Sequence, residues 1–134
     1  MTPEVEAELE RLADKVHATL RLAGFNPQFR DFSIDQDLAG AVVEIEVESG
    51  NEGVFVYWQT SVPLTQAVVK AVRARDSADR ACEINGDITE GMLDALLAIL
   101  TSAGFEVEEA GGYRDLQVQV TGVRGETLDT LITS

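Results

Sequence analysis

His17 is the single histidine of the chain, and it stands at helical spacing from Asp14 and Arg21. An imidazole at the edge of an apolar stripe could act as a general base. No cluster of partner residues surrounds it in sequence, so a boundary residue that packs and hydrogen-bonds is the stronger expectation. Cys82 is the single cysteine, flanked by Arg80 and Glu83. A nucleophilic thiol needs a base or a positive neighbour to lower its pKa, and Arg80 alone is a thin provision. A buried structural thiol fits better.

Asp31, Ser33, Asp35 and Asp37 alternate as ligands do at the start of a calcium loop. Such a loop then needs a glycine and a later glutamate, and those places hold Gln36 and Val42. A polar turn is the better reading. Glu44, Glu46 and Glu48 project from one face of one strand, and Glu106 and Glu108 hold similar places later. Together they could form an acidic stripe that meets a basic partner, or simply a solvated sheet face. Lys70, Arg73, Arg75 and Arg80 gather basic charge on an acidic chain. They are candidates for an anion site, although the first three also complement the carbonyl end of a helix.

Phosphate loops, dinucleotide glycine fingerprints and serine elbows are missing, as is a Cys/His set for zinc. No cofactor, metal site or catalytic residue is therefore expected.

The elements that must position these residues follow from periodicity. The chain has 134 residues, which suits one domain with its own core. Val5, Leu9, Leu12, Val16 and Leu20 make the apolar stripe of a first helix over Pro3 to Ala23, with Thr2 as cap and Gly24 as stop. Gln28 to Ile34 reads as a first strand. Val43, Ile45 and Val47 alternate with glutamates in a second, Ala41 to Glu48. Ser49 to Gly53 is a hairpin connection, and Gly53 to Gln59 a central strand containing Tyr57 and Trp58. A second helix spans Pro63 to Arg75, capped near Ser61, with Leu64, Val68, Ala71 and Val72 inward. Arg75 to Gly86 is either helix or loop. Asp87 and Glu90 have the spacing of a capping box that opens a third helix. Phe105 to Glu109 and Asp115 to Thr121 form a hairpin around Gly111 and Gly112. The tail from Gly122 is polar and either adds a short helix at Thr127 to Ile132 or stays mobile.

Ala23-Gly24-Phe25 recurs as Ala103-Gly104-Phe105. In that register Leu12, Val16 and Leu20 match Met92, Leu96 and Leu100; after each Phe come a polar turn and an alternating strand, where Val43 to Val47 parallels Leu116 to Val120. Two readings of residues 3–48 and 87–121 compete: two α-β-β halves, or convergent helix-stop chemistry. The predicted fold is one α+β domain over 1–134: a mostly antiparallel sheet of about five strands with three helices.

Apolar residues surround the third helix almost completely from Met92 to Leu100. Such a helix is either central or covered by another subunit, which makes Leu93, Leu97 and Leu100 candidates for a homodimer interface.

The formal net charge is -14, from 24 acidic and 10 basic residues. That field disfavours nucleic acid and anionic membranes and attracts basic proteins. The dense early charge is not a signal peptide, and no apolar run spans a membrane, so the cytoplasm is the expected location. The order helix, three strands, helix and later strands, with the low isoelectric point, resembles the small acidic chaperones of bacterial secretion systems. The helix from Asp87 departs from that order, and no functional residue is carried over. The balance favours a non-enzymatic, dimeric binding protein: a chaperone, adaptor or immunity-type inhibitor for a partner with a basic surface. Tyr57 and Trp58 would be its aromatic anchors. The alternative is a small-molecule-binding protein or unrecognised enzyme, with a pocket between helices and sheet near His17, Tyr57 and Trp58.

Overall fold

Thr2 starts α1 (Pro3–Leu22): its side chain accepts from the Val5 amide, and Pro3 fills a first-turn position that needs no amide donor. Ala13, Val16, Thr19 and Leu20 turn inward. At the helix end Gly24 takes φ +94°, and the Gly24 and Phe25 amides donate to the Arg21 and Leu20 carbonyls, which closes a Schellman motif. In this computed structural model, residues 2–48, 50–76 and 79–133 are described. Ser49 of the expected hairpin connection, and residues 77 and 78 of the ambiguous stretch, lie outside them.

The chain then runs through β1 (Gln28–Phe29), β2 (Gly40–Glu46) and β3 (Gly53–Gln59). The first strand is far shorter than expected. The Asp31 carboxylate accepts from both the amide and the hydroxyl of Ser33, and this local turn carries the chain off the sheet. Two helices follow, α2 (Val62–Arg73) and α3 (Arg80–Ser102), then β4 (Phe105–Glu109), a single 3-10 turn (Gly112–Arg114), β5 (Val118–Val123) and α4 (Leu128–Thr133).

The third helix starts before Asp87. Asp79 is its cap and accepts from the Ala81 amide at 2.7 Å, while Asp87 lies exposed inside the helix. Ser61 caps α2 as expected, but Val72 is 62% exposed rather than part of a buried stripe. The tail folds: Lys15 Nζ donates to Thr127 and Thr130 and pairs with Asp129 at 3.6 Å, tying α4 to α1.

The five strands form one sheet in the order β1-β2-β3-β5-β4. The β1/β2 pair is parallel and every other pair antiparallel, so the fold is α+β with a mixed, mostly antiparallel sheet. Helices α1 and α3 cover one face. Ala41 and Val43, Val54 and Val56, Val118 and Val120 point to them and meet Val16, Leu20, Leu96 and Leu100. Each fully buried valine or leucine among them is worth roughly 1.5–3 kcal/mol.

The resemblance between the two halves extends to burial along the helices. Val16 and Leu20 are as buried as Leu96 and Leu100, and both stop glycines have positive φ. It ends at the strands, because β1 pairs parallel to β2 whereas β4 pairs antiparallel to β5. Leu93 and Leu100 are buried in the chain's own core, and Leu97 packs half-buried against it. These leucines are therefore spent inside the monomer and are not a free dimer surface.

Candidate functional site

Alternation in β2 sends Val42, Glu44 and Glu46 to the face away from α1 and α3. The register places Glu44 beside Phe55, Phe55 beside Gln119 and Gln119 beside Glu108. The expected acidic residues thus share one face, with Glu106 and Glu108 exposed on β4 and Glu48 exposed just beyond β2. They do not make a continuous bare stripe.

Arg114, only 6% exposed, sits over the Phe55 ring with its guanidinium carbon 3.9 Å from the centroid. One guanidinium nitrogen donates to Glu44 at 2.8 Å and Glu46 at 3.4 Å, and the other terminal nitrogen donates to Gln117 at 3.0 Å. The Glu44 hydrogen bond raises the Arg114 pKa against the opposing effect of burial, so the charge is permanent. Arg30 donates to the Tyr57 hydroxyl at 2.9 Å and lies 3.7 Å from Glu44. The β2 carboxylates are therefore structural partners of two arginines. The turn that delivers Arg114 includes Leu116 at φ +67°, an uncommon left-handed conformation for this residue. The adjoining cavity of about 200 Å³ lies below the usual size of a small-molecule site.

A second feature lies on the helix-covered face of β2. A groove of about 260 Å³ runs between α1 and β2, floored by Phe29, Val43 and Ile45. Its rim carries Glu10, Asp14 and Asp31 against one cation, Arg30. The Arg30 amide donates to the Val43 carbonyl at 2.8 Å, so Val43 and Ile45 aim their backbone polar groups at the β1 side. β1 ends at Phe29, opposite Val43. The Ile45 amide and carbonyl have no strand partner among the described residues. One residue past the groove, Phe32 is wholly exposed on the turn braced by Asp31 and Ser33.

His17 serves the groove's architecture. Its ring stacks on Phe29 at 4.3 Å, and Nε2 lies 3.1 Å from the Pro27 carbonyl. A carbonyl only accepts, so Nε2 carries the hydrogen. Burial lowers the His17 pKa, and Arg21 adds to this, against the Pro27 carbonyl and Asp14. The unfolded chain therefore takes up the proton first as pH falls. The stability that neutral His17 permits is full above the ordinary value of 6.5 and is lost as pH falls through it toward the lower folded value. Urea midpoints are expected to drop between about pH 7.5 and about pH 5.5, and His17→Gln to flatten that slope. An unchanged slope in the variant would refute the assignment.

The other expected residues do not converge. Tyr57 and Trp58 are consecutive in β3 and project to opposite faces, so they cannot line one pocket with His17. Both are half-buried, and Tyr57 is held by Arg30. Cys82 is a half-buried free thiol near the start of α3. Arg80 pairs with Glu83 at 3.5 Å, whereas Lys70, Arg73 and Arg75 form no ion pair among the described residues. No cluster of three or more potential metal ligands occurs among the described residues, and no described helix is long and apolar enough to cross a membrane.

Comparison with family models, curated proteins and solved structures gives no match to this chain.

Proposed function

We propose that the chain is a non-enzymatic protein-binding module, of the chaperone, adaptor or inhibitor kind, which takes an extended basic segment of a partner along the open edge of β2. The observation that carries this reading is the groove itself. It joins an unpartnered strand edge to an apolar floor and an acidic rim. An added strand would satisfy the Ile45 backbone, alternate apolar residues would meet Phe29, Val43 and Ile45, and basic residues would meet Glu10, Asp14 and Asp31. Phe32 would supply an anchor for the partner's surface. The net charge of -14 would steer basic partners and raise the association rate.

Charge reversal at Glu44 or Glu46 would test the wrong thing, because both hold Arg114. The informative variants are Phe32→Ser and the double change Glu10→Lys with Asp14→Lys, all at exposed positions. Tagged protein should capture a stoichiometric partner from native lysate at low salt and lose it at high salt. Each variant should lose it at low salt while keeping the parent's unfolding midpoint. A partner retained equally by both variants would overturn the reading.

A further inference from the structure

Helix α2 is more apolar than its surroundings allow. Its sequence is VPLTQAVVKAVR, and Ala71 alone is buried. It packs mainly on α3, leaving Val69 40% and Val72 62% exposed, with Ile84 of α3 37% exposed. An apolar helix left open on one side needs a cover. Its charges name the cover. Lys70 and Arg73 are the only charged residues of α2, and Arg75 follows directly. Past the Arg80–Glu83 pair, the charged residues of α3 are Asp87, Glu90 and Asp94, all acidic and exposed.

We propose that α2 is the covered face of a symmetric dimer, in which it packs against the first half of α3 in a second copy. A two-fold axis sets the basic helix of each copy on the acidic helix of the other, so the same complementarity is used twice. Val69 and Val72 would meet the exposed apolar edge around Ile84. The apolar contact supplies the affinity, and the charge pattern selects a second copy. Salt screens both the paired helices and the long-range repulsion between two chains of net charge -14, so this dimer changes little with added salt. A basic partner at the β2 edge is instead lost at high salt, and the two surfaces are tested independently.

The test is the mass of the full chain in solution by sedimentation, at several concentrations and two salt levels. The wild-type chain should be a dimer. Val72→Glu, at an exposed position, should weaken it about a hundredfold by burying an unpaired charge. A chain with Lys70→Glu and Arg73→Glu should be monomeric alone, as should a chain with Asp87→Lys and Glu90→Lys. Mixed, the two should form a heterodimer, because each basic helix again faces an acidic one. A monomeric wild-type chain would overturn the proposal. So would charge variants that stay dimeric when alone, or that fail to associate when mixed.

Discussion

Arg114→Ala is expected to cost about 3 kcal/mol of unfolding free energy at neutral pH, measured by urea denaturation. The guanidinium covers the Phe55 ring and lies between Glu44 and Glu46, whose side chains are only 20% and 22% exposed. Removing it leaves Glu46 without a counter-charge and Glu44 with only the more distant Arg30 at 3.7 Å, and opens Phe55 to water. Fully buried pairs cost roughly 3–5 kcal/mol when one partner is deleted, and the remaining exposure of the glutamates places this case at the lower end. Arg114→Lys should recover less than half of the loss. Lysine keeps the charge but has neither the fork that reaches Glu44 and Gln117 together nor the flat group that covers a ring. A loss under about 1 kcal/mol for the alanine variant would mean that water already screens the cluster.

The second large effect separates two glycines that look equivalent in the sequence. Gly24 and Gly104 both end a helix at positive φ, +94° and +102°. A Cβ on Gly24 would meet nothing within 4 Å, whereas a Cβ on Gly104 would lie 2.7 Å from the Glu126 carbonyl oxygen. The segment pressing on Gly104 is not free to give way. The Arg124 amide donates to the Gly104 carbonyl at 2.7 Å, the Leu128 amide donates to the Ala103 carbonyl at 3.1 Å, and Thr127 is buried. Gly24→Ala should cost about 1 kcal/mol, the conformational penalty alone. Gly104→Ala should cost about 3 kcal/mol, since strain in a packed segment is added to it. Thermal or urea unfolding of the pair measures both, and equal losses would refute the close approach.

The elements that could be read from the sequence are those whose signals are local. Thr2, Pro3, the apolar stripe and Gly24 fix α1 without help from distant residues, and strict alternation fixes β2. The limits of β1 and α3 were decided by competing local chemistry. Asp31 turns the chain where apolar residues continue, and Asp79 caps a helix for which Asp87 is an equally good sequence candidate. The acidic face was legible, but its neutralisation was not. Arg114 sits in a polar turn, and its partners Glu44 and Glu46 lie 70 and 68 residues away. Nothing near Arg114 in the sequence marks it as buried.

The same separation explains the dimer surface. The density of leucine in α3 suggested an outward face, yet the sheet and α1 consume Leu93, Leu96 and Leu100. The less conspicuous α2 is left uncovered, because it packs on α3 and lies off the sheet. The groove was hidden for a third reason. It depends on where β1 stops, and only the pairing of Phe29 with Val43 reveals that Ile45 has an open edge. Phe32, set among Asp31, Ser33 and Asp35, reads in sequence as part of a polar turn rather than as an exposed anchor.

The most direct test of the groove is an amide-resolved NMR titration of the full chain with a short peptide of alternating lysine and valine, with alternating glutamate and valine as control. The lysine peptide should shift Phe29, Phe32 and Ile45 and slow hydrogen exchange at the Ile45 amide, as strand addition requires. The glutamate peptide should do neither. Small shifts spread evenly over Glu106, Glu108 and the other exposed acidic residues, with Ile45 exchange unchanged, would contradict a docking edge and leave only diffuse charge attraction.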